Sequence, residues 1–366
     1  MEILNRGILY ENPLPHLRSI QSMFSGLCRL PDGTLLASMQ LGEAFEAVNC
    51  TSYIAKSTDN GATWSMPEPM FDKSGEEYPL SDSCKITWTG DRVTAFGMQY
   101  HRRDMALPIG NAQTGGVLES DVFYSESFDN GRTWSERRTI PMDWGMHTEA
   151  TAPITVAADG SYVSPVTVFP AWDGSLSHPL CGKLLVSRDA GKTWDQSATC
   201  MQFDQPDVTC YEQRACRLGS GDLINIGWNE NIRSGQRLHN HYTVSNDNGR
   251  TFSEPRDTGV QGQASSVMAL PNERLLALHA IRRDTDRPGI YGFVIDFSHK
   301  NWDVADRFLL WEPQQQLRPH KGLADIFAYV RFGQPSAIQL SDNELLMTHW
   351  ACEEGQYRTF VTRIRL

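Results

Sequence analysis

Four copies of one eight-residue pattern recur along this chain: Ser-x-Asp-x-Gly-x-Thr followed by Trp or Phe. They occupy residues 57–64 (STDNGATW), 127–134 (SFDNGRTW), 187–194 (SRDAGKTW) and 245–252 (SNDNGRTF). Their first serines lie 70, 60 and 58 residues apart. One such match means little, but four at near-regular spacing are an internal repeat. Each follows a short strand-like run: Tyr53-Ile54-Ala55, Val122-Phe123-Tyr124, Leu184-Leu185-Val186 and Tyr242-Thr243-Val244. Asp and Gly supply the turn, and the aromatic residue is expected to pack back over the hairpin and lock it. Strands and turns repeating at this period predict blades of an all-β propeller, with the aspartates serving the fold and not catalysis.

A second repeat lies upstream of each box, a hairpin of the form small-x-apolar-x-Leu-x-Asp-Gly-x-Leu-Leu. It appears at residues 25–36, 83–95, 152–163, 215–224, 265–276 and 336–346, which predicts six blades. The fifth carries only a worn box (Phe297-Ser298-His299-Lys300-Asn301-Trp302). The sixth ends in the alternating strand YRTFVTRIRL at 357–366, and a strand near 3–10 is expected to complete that blade and close the ring. A seventh blade built on residues 308–329 is the alternative.

Residues 1–366 are read as one propeller domain, in keeping with 29 Gly, 19 Pro and 10 Trp. No stretch has the apolar length of a membrane span. The opening residues Met1-Glu2-Ile3-Leu4-Asn5-Arg6 lack a basic region followed by an apolar core, so a cytoplasmic location is expected, or a periplasmic or secreted one if a leader has been removed. The eight cysteines show no C-x-x-C spacing or pairing with His, so buried thiols are expected, with no metal and no cofactor. A net charge of −11 argues against nucleic acid or an anionic membrane as partner.

In a propeller the innermost strand of each blade starts at one face, and the next strand returns to it. Functional side chains are therefore sought just before first strands and just after second strands. Before first strands lie Arg18, Asp82, His147 and Glu149, then Tyr211, Glu212 and Arg214, and finally Gln334. After second strands lie Gln40; Tyr100, His101, Arg102 and Arg103; Trp172; Trp228, Asn229 and Glu230; His279, Arg282 and Arg283; and His349 and Trp350. This concentration of His, Arg, Glu and aromatic residues suits a polar, ring-stacking pocket for an oligosaccharide or glycoconjugate.

The eight-residue boxes resemble the Asp-boxes of the sialidase (neuraminidase) superfamily, and with the second repeat the resemblance covers most of the chain. It implies a six-bladed sialidase-like β-propeller. Sialidases also carry an arginine triad for the substrate carboxylate, an Asp acid/base and a Tyr nucleophile activated by a Glu. Tyr211-Glu212-Gln213-Arg214 matches the strand bearing that Glu, and the third triad arginine is left open among Arg282, Arg283 and Arg287. The other positions depart. Met23 stands where the first arginine is expected, Trp228 or Asn229 where the second is, and Gln334 in place of the tyrosine. The acid/base Asp falls near Asn49, with Glu46 the nearest acid. The resemblance therefore implies the sialidase fold with a remodelled site.

Three functions remain open. The first is an exo-acting glycoside hydrolase, not on ordinary sialic acid, with Glu212 and Glu149 as paired carboxylates and Glu230 as a third candidate. The alternative is that one or more of these acids is tied up structurally, as in a pairing of Glu212 with Arg214 or Arg233. The second is a polysaccharide lyase or rhamnosidase-like enzyme at a uronate linkage, with His101, Tyr100 and Arg102 as acting groups. The third is a non-catalytic glycan-binding propeller. Trp172, Trp228 and Trp350 are candidates for stacking on sugar rings.

Overall fold

The computed structural model describes residues 1–314 and 331–366. Among them no helix occurs, and no helix is long and apolar enough to cross a membrane. The chain opens with β1 (Glu2–Tyr10) and then builds blade after blade. Blade 1 holds β2 (Gln21–Arg29), β3 (Leu35–Gly42), β4 (Thr51–Ser57) and β5 (Glu68–Pro69). Blade 2 holds β6 (Leu80–Trp88), β7 (Val93–His101), β8 (Ser120–Ser127) and β9 (Arg138–Ile140). In blade 3 the inner position is split between β10 (His147–Glu149) and β11 (Thr155–Val156), both pairing β12 (Tyr162–Phe169), followed by β13 (Cys181–Ser187) and β14 (Thr199–Gln202).

Blade 4 holds β15 (Tyr211–Arg217) and β16 (Leu223–Trp228), then a small ribbon of β17 (Glu230–Asn231) and β18 (Gln236–Arg237), then β19 (His241–Ser245) and β20 (Arg256–Asp257). Blade 5 holds β21 (Gln263–Leu270), β22 (Arg274–Ile281), β23 (Gly289–Asp296) and β24 (Asp303–Trp311). Blade 6 holds β25 (Phe332–Ser341), β26 (Glu344–Glu353) and β27 (Gln356–Arg365), with β1 as its outer strand. Ile8 faces Phe360 and Ile3 faces Ile364, so the N-terminal strand completes the last blade as the pattern predicts. Ser22 and Ser25 of blade 1 hydrogen-bond Thr359 and Thr348 of blade 6 at 2.7 and 2.9 Å, which seals the ring. Phe308–Trp311 of the alternative seventh blade belong to β24, and its remainder from residue 315 lies outside the described residues.

Each complete box works alike. Asp59 accepts from Thr63 N at 2.9 Å, and Ser57 Oγ accepts from Gly61 N at 2.9 Å, with the same bonds around Asp129, Asp189 and Asp247. The glycine has two duties. Its φ is +84° at Gly191, and a Cβ there would lie 2.5 Å from the Tyr124 ring of the preceding blade. Gly61, Gly131 and Gly249 rest in the same way on Leu346, Leu36 and Leu184. The box aromatics reach across too: Trp194 packs on Phe96 and Tyr124 of blade 2, at 5.5 and 5.8 Å. The boxes therefore join neighbouring blades as well as closing their own hairpins. Trp302 of the worn box does the same, stacked on Tyr242 of blade 4 at 5.1 Å.

Four inner strands carry a bulge with a left-handed residue: Phe24, Glu212, Ala264 and Gln334. By contrast, β6 pairs without interruption from Leu80 to Trp88. All eight cysteines are free thiols, six of them buried.

Candidate active site

The bulges decide which side chains meet at the axis. Glu212 and Gln334 both have φ of 43°, a conformation costing on the order of 1–3 kcal/mol that gathers at functional sites. A bulge re-aims its side chain, and these two meet across the ring, Gln334 Nε2 donating to Glu212 Oε1. Trp228 Nε1 donates to Glu212 Oε2 at 2.9 Å. An indole N–H and an amide NH2 only donate, so Glu212 accepts on both oxygens, as a carboxylate does.

Beneath this pair lie two buried cations. Lys85, in mid-β6, donates to Phe24 O at 2.6 Å, Ser25 O at 2.8 Å and Gln334 Oε1 at 3.2 Å. Burial first, then Arg214, hold its amine well below the usual lysine range. Arg214 donates to Thr151 Oγ1 at 2.8 Å and Gln213 O at 2.9 Å, and burial lowers it to about 10 against the pull of Glu212 and Glu149. Below, the inner strands line an open axial cavity of about 360 Å³ whose wall includes Arg214, Ile86 and Ile154.

Glu149 ends β10. The residue keeps some exposed surface, but its Oε2 is enclosed and has no hydrogen-bond partner among the described residues. Burial first, then the charge of Glu212, push its carboxyl up to about 8, with Arg214 opposing. Tyr100 is buried beside it, its phenol raised by burial, then Glu149 and Glu46. Tyr211 stacks on Phe169 at 5.2 Å and leans on Trp228 at 4.6 Å, which holds the indole against Glu212. Arg282 feels Glu212, is lowered to about 10 by burial, and has no partner for Nε among the described residues. Arg283 instead binds Glu230 at 3.1 Å.

A second polar group forms where blades 2 and 3 adjoin. Tyr78 Oη lies 2.7 Å from His101 Nδ1, and His101 Nε2 lies 2.9 Å from Asp121 Oδ2. A carboxylate needs a donor, so His101 donates from Nε2 to Asp121, and its Nδ1 shares a hydrogen bond with the Tyr78 hydroxyl. Arg103 donates to Tyr78 Oη at 2.7 Å, lies 4.6 Å from that ring's centre and pairs with Glu119. His147, two residues before Glu149, is lowered by burial and by His101, with Glu119 acting the other way.

The structure thus brings Glu149, Glu212, Arg214, Tyr100, Tyr211, Trp228, Arg282 and Gln334 together, with His101, Arg103 and His147 in the second group. Other expected site residues have structural duties. Asp82 lies inside β6, which begins at Leu80 and not at residue 83, and it is spent on Thr51, Ser52 N, Lys73 and Arg137. Gln40 is buried against Asp82 O. His279 is buried against Ser265 and Phe293, and His349 between Trp311 and Phe360, because both point into the blades. Arg102 is bound to Glu46 O, Ser81 Oγ and Leu107 O. Asn229 ties Thr209 to His241. Glu230 is held by Arg283, and Arg233 pairs with Asp207, not with Glu212. Arg18 is exposed, and its carbonyl accepts from Asn12. The Trp172 carbonyl anchors Asn111 and Thr114. Trp350 is buried among Phe24, Phe45 and Tyr357, and Trp228 is 8% exposed, so neither offers a stacking face.

Lys85, Tyr78 and Asp121 escaped the sequence reading. A lysine in the middle of the apolar inner run Cys84-Lys85-Ile86 was the available signal for the first. The others depended on where β6 and β8 begin.

The profile of the BNR repeat-like domain matches residues 76–342, well over half of the chain. The chain belongs to the BNR repeat-like domain family. Among solved structures, a protein of unknown function from Dyadobacter fermentans superposes with a TM-score of 0.78 at 17% identity, covering 100% of this chain and 99% of that one. The Hadza microbial sialidase Hz136 gives 0.68 at 14% identity, over 94% of this chain and 66% of that one. Trypanosoma rangeli sialidase in complex with the inhibitor DANA gives 0.62 at 15%, over 94% and 55%. The chain therefore spans just under two thirds and about half of these two sialidases. At such identities the likeness is one of fold, the sialidase-like six-bladed propeller. No curated protein matches the chain.

Proposed function

We propose that this BNR-repeat propeller is a glycoside hydrolase that removes a non-reducing-end sugar with Glu149 as general acid and Glu212 as the second carboxylate. One observation carries the reading. Two carboxyl groups share the mouth in unlike surroundings: burial and the charge of Glu212 push Glu149 up to about 8, while both oxygens of Glu212 accept hydrogen bonds, from Trp228 and Gln334. Neighbouring acids in such unlike surroundings are the pattern of a catalytic acid and its partner. In such a reaction the Glu149 proton goes to the leaving oxygen as the glycosidic bond breaks. Glu212 then either takes a proton from the attacking water or bonds the anomeric carbon itself. Arg282, a partly exposed cation that feels Glu212, suits an acidic substituent on that sugar. Met23, Trp228 and Gln334 at the remodelled positions speak against ordinary sialic acid.

The test is a panel of aryl sialoside, arabinoside, rhamnoside and galactoside with the uronate oligosaccharides. Sugar release abolished in Glu212→Gln and Glu149→Gln, with binding retained, supports the reading. Unchanged release in Glu212→Gln sinks it.

The Tyr78–His101–Asp121 chain favours a second reading, β-elimination beside a uronate carboxylate. Tyr78, having given its proton to His101, would take the proton next to that carboxylate as a C=C bond forms and the glycosidic oxygen on the β-carbon leaves, taking a proton from solvent. Absorbance from an unsaturated uronate, lost in Tyr78→Phe, would move the assignment there.

A further inference from the structure

The floor of the mouth carries an inference that rests on Glu212 being a catalytic carboxylate. We propose that Lys85 and Gln334 are positioning residues that hold Glu212 as an oriented anion, through a chain running from the Lys85 ammonium to the Gln334 amide and on to the carboxylate.

The chain crosses four blades. Phe24 and Ser25 lie in the bulge of β2, where two residues oppose Met39 and the ladder is interrupted. Their carbonyls, turned by the left-handed Phe24, take two bonds from Lys85. The third goes to Gln334 Oε1. All three partners only accept, and three N–H donors belong to the ammonium and not to the neutral amine. Gly26 makes the path: a Cβ there would lie 3.0 Å from Lys85 Cδ. With Gln334 Oε1 fixed as acceptor, its Nε2 must face Glu212 Oε1. The amide thereby relays the positive end of the chain to the carboxylate, and Trp228 holds the other oxygen.

A structural plug would not need these groups. A buried amine beside Arg214 is costly where an apolar side chain would fill the space, and two left-handed non-glycine residues facing each other add strain. Both costs are met where they orient one carboxylate.

The experiment needs no known substrate. The Glu212 carboxyl would be titrated by carbon-13 NMR of glutamate-labelled protein, with the resonance identified by its loss in Glu212→Gln. In Lys85→Met and in Gln334→Met its midpoint should rise by about one pH unit, because the first removes the positive charge behind the amide and the second removes the donor to the anion. On whichever glycoside the panel identifies, kcat should fall about tenfold to a hundredfold with KM nearly unchanged. The acid limb of the pH profile should move with the NMR midpoint. An unmoved midpoint in both variants overturns the proposal, whatever the activity. If Lys85→Met does not fold, Gln334→Met carries the test. If Glu212→Gln keeps full turnover while the midpoints shift, the catalytic reading fails and the chain remains as an electrostatic device.

Discussion

Trp228 Nε1 sits 2.9 Å from Glu212 Oε2, so the residue that closes the β15–β16 pair also orients the carboxylate. Trp228→Phe keeps the stack with Tyr211 and removes the donor. Turnover on a cleavable glycoside should drop about tenfold, the equivalent of one charge-assisted hydrogen bond of roughly 1.5 kcal/mol. Steady-state kinetics beside an unchanged far-ultraviolet dichroism spectrum check this, and wild-type turnover would remove Trp228 from the site.

Glu149 gives a pH prediction. Its carboxyl is raised from 4.5 to about 8, so the acid form is present below that value and kcat/KM should fall as pH rises through about 8. The same shift acts on stability. The folded state binds a proton that the unfolded chain releases, so stability declines between about 4.5 and about 8. Glu149→Gln should flatten that decline and melt higher than wild type at pH 8–9. Calorimetry across pH decides it.

His279 and His349 act at the acid end. Burial lowers both to about 3, so between about 6.5 and 3 the unfolded chain binds two more protons than the fold. Stability should therefore rise with pH across that window, by up to about 1.4 kcal/mol per pH unit for each histidine. His279→Gln should remove about one proton from the slope, measured by denaturant titration at several pH values.

Gly191→Ala tests the box as a link between blades. It places a Cβ at φ +84° and 2.5 Å from the Tyr124 ring. A loss of about 1–3 kcal/mol is expected from the backbone alone, before any shift of Tyr124. Gly160→Ala, at φ +85° with nothing within 4 Å, isolates the backbone part. Equal losses in the two would mean that the contact with Tyr124 contributes nothing.

Removing residues 1–10 should open the ring. β27 would lose its partner β1 and become an edge strand. The truncated chain is expected to melt lower and to self-associate, as read by light scattering. A monomer of unchanged melting temperature would show that the β1–β27 pairing does not hold the ring.

Much of the fold was legible because its signals are local. A turn of Asp, Asn and Gly needs its residues in one order, so the four boxes and six hairpins could be counted from the chain. Even the borrowed strand 3–10 followed from a last blade one strand short. Glu149 and Glu212 were legible for a related reason: strand ends on one face of a propeller must converge.

Register and bulges were not legible. Asp82 was expected at the mouth because β6 was started three residues late, and the side-chain period of two leaves no tolerance for that. His279 and His349 follow the same logic, since alternation turned them into the blades. Gln334 and Glu212 meet only because single extra residues in β15 and β25 re-aim them, and nothing local in the sequence marks a bulge at a non-glycine residue. By itself, the sequence determined the blade count, the ring closure and the face on which acids gather, since repeats and turns are properties of neighbours along the chain. Only the tertiary structure decided which acid is pushed up by burial, which has both oxygens hydrogen-bonded and which basic side chains lie beneath them. Burial and contact between blades set those surroundings, as between Glu212 and Gln334, 122 residues apart.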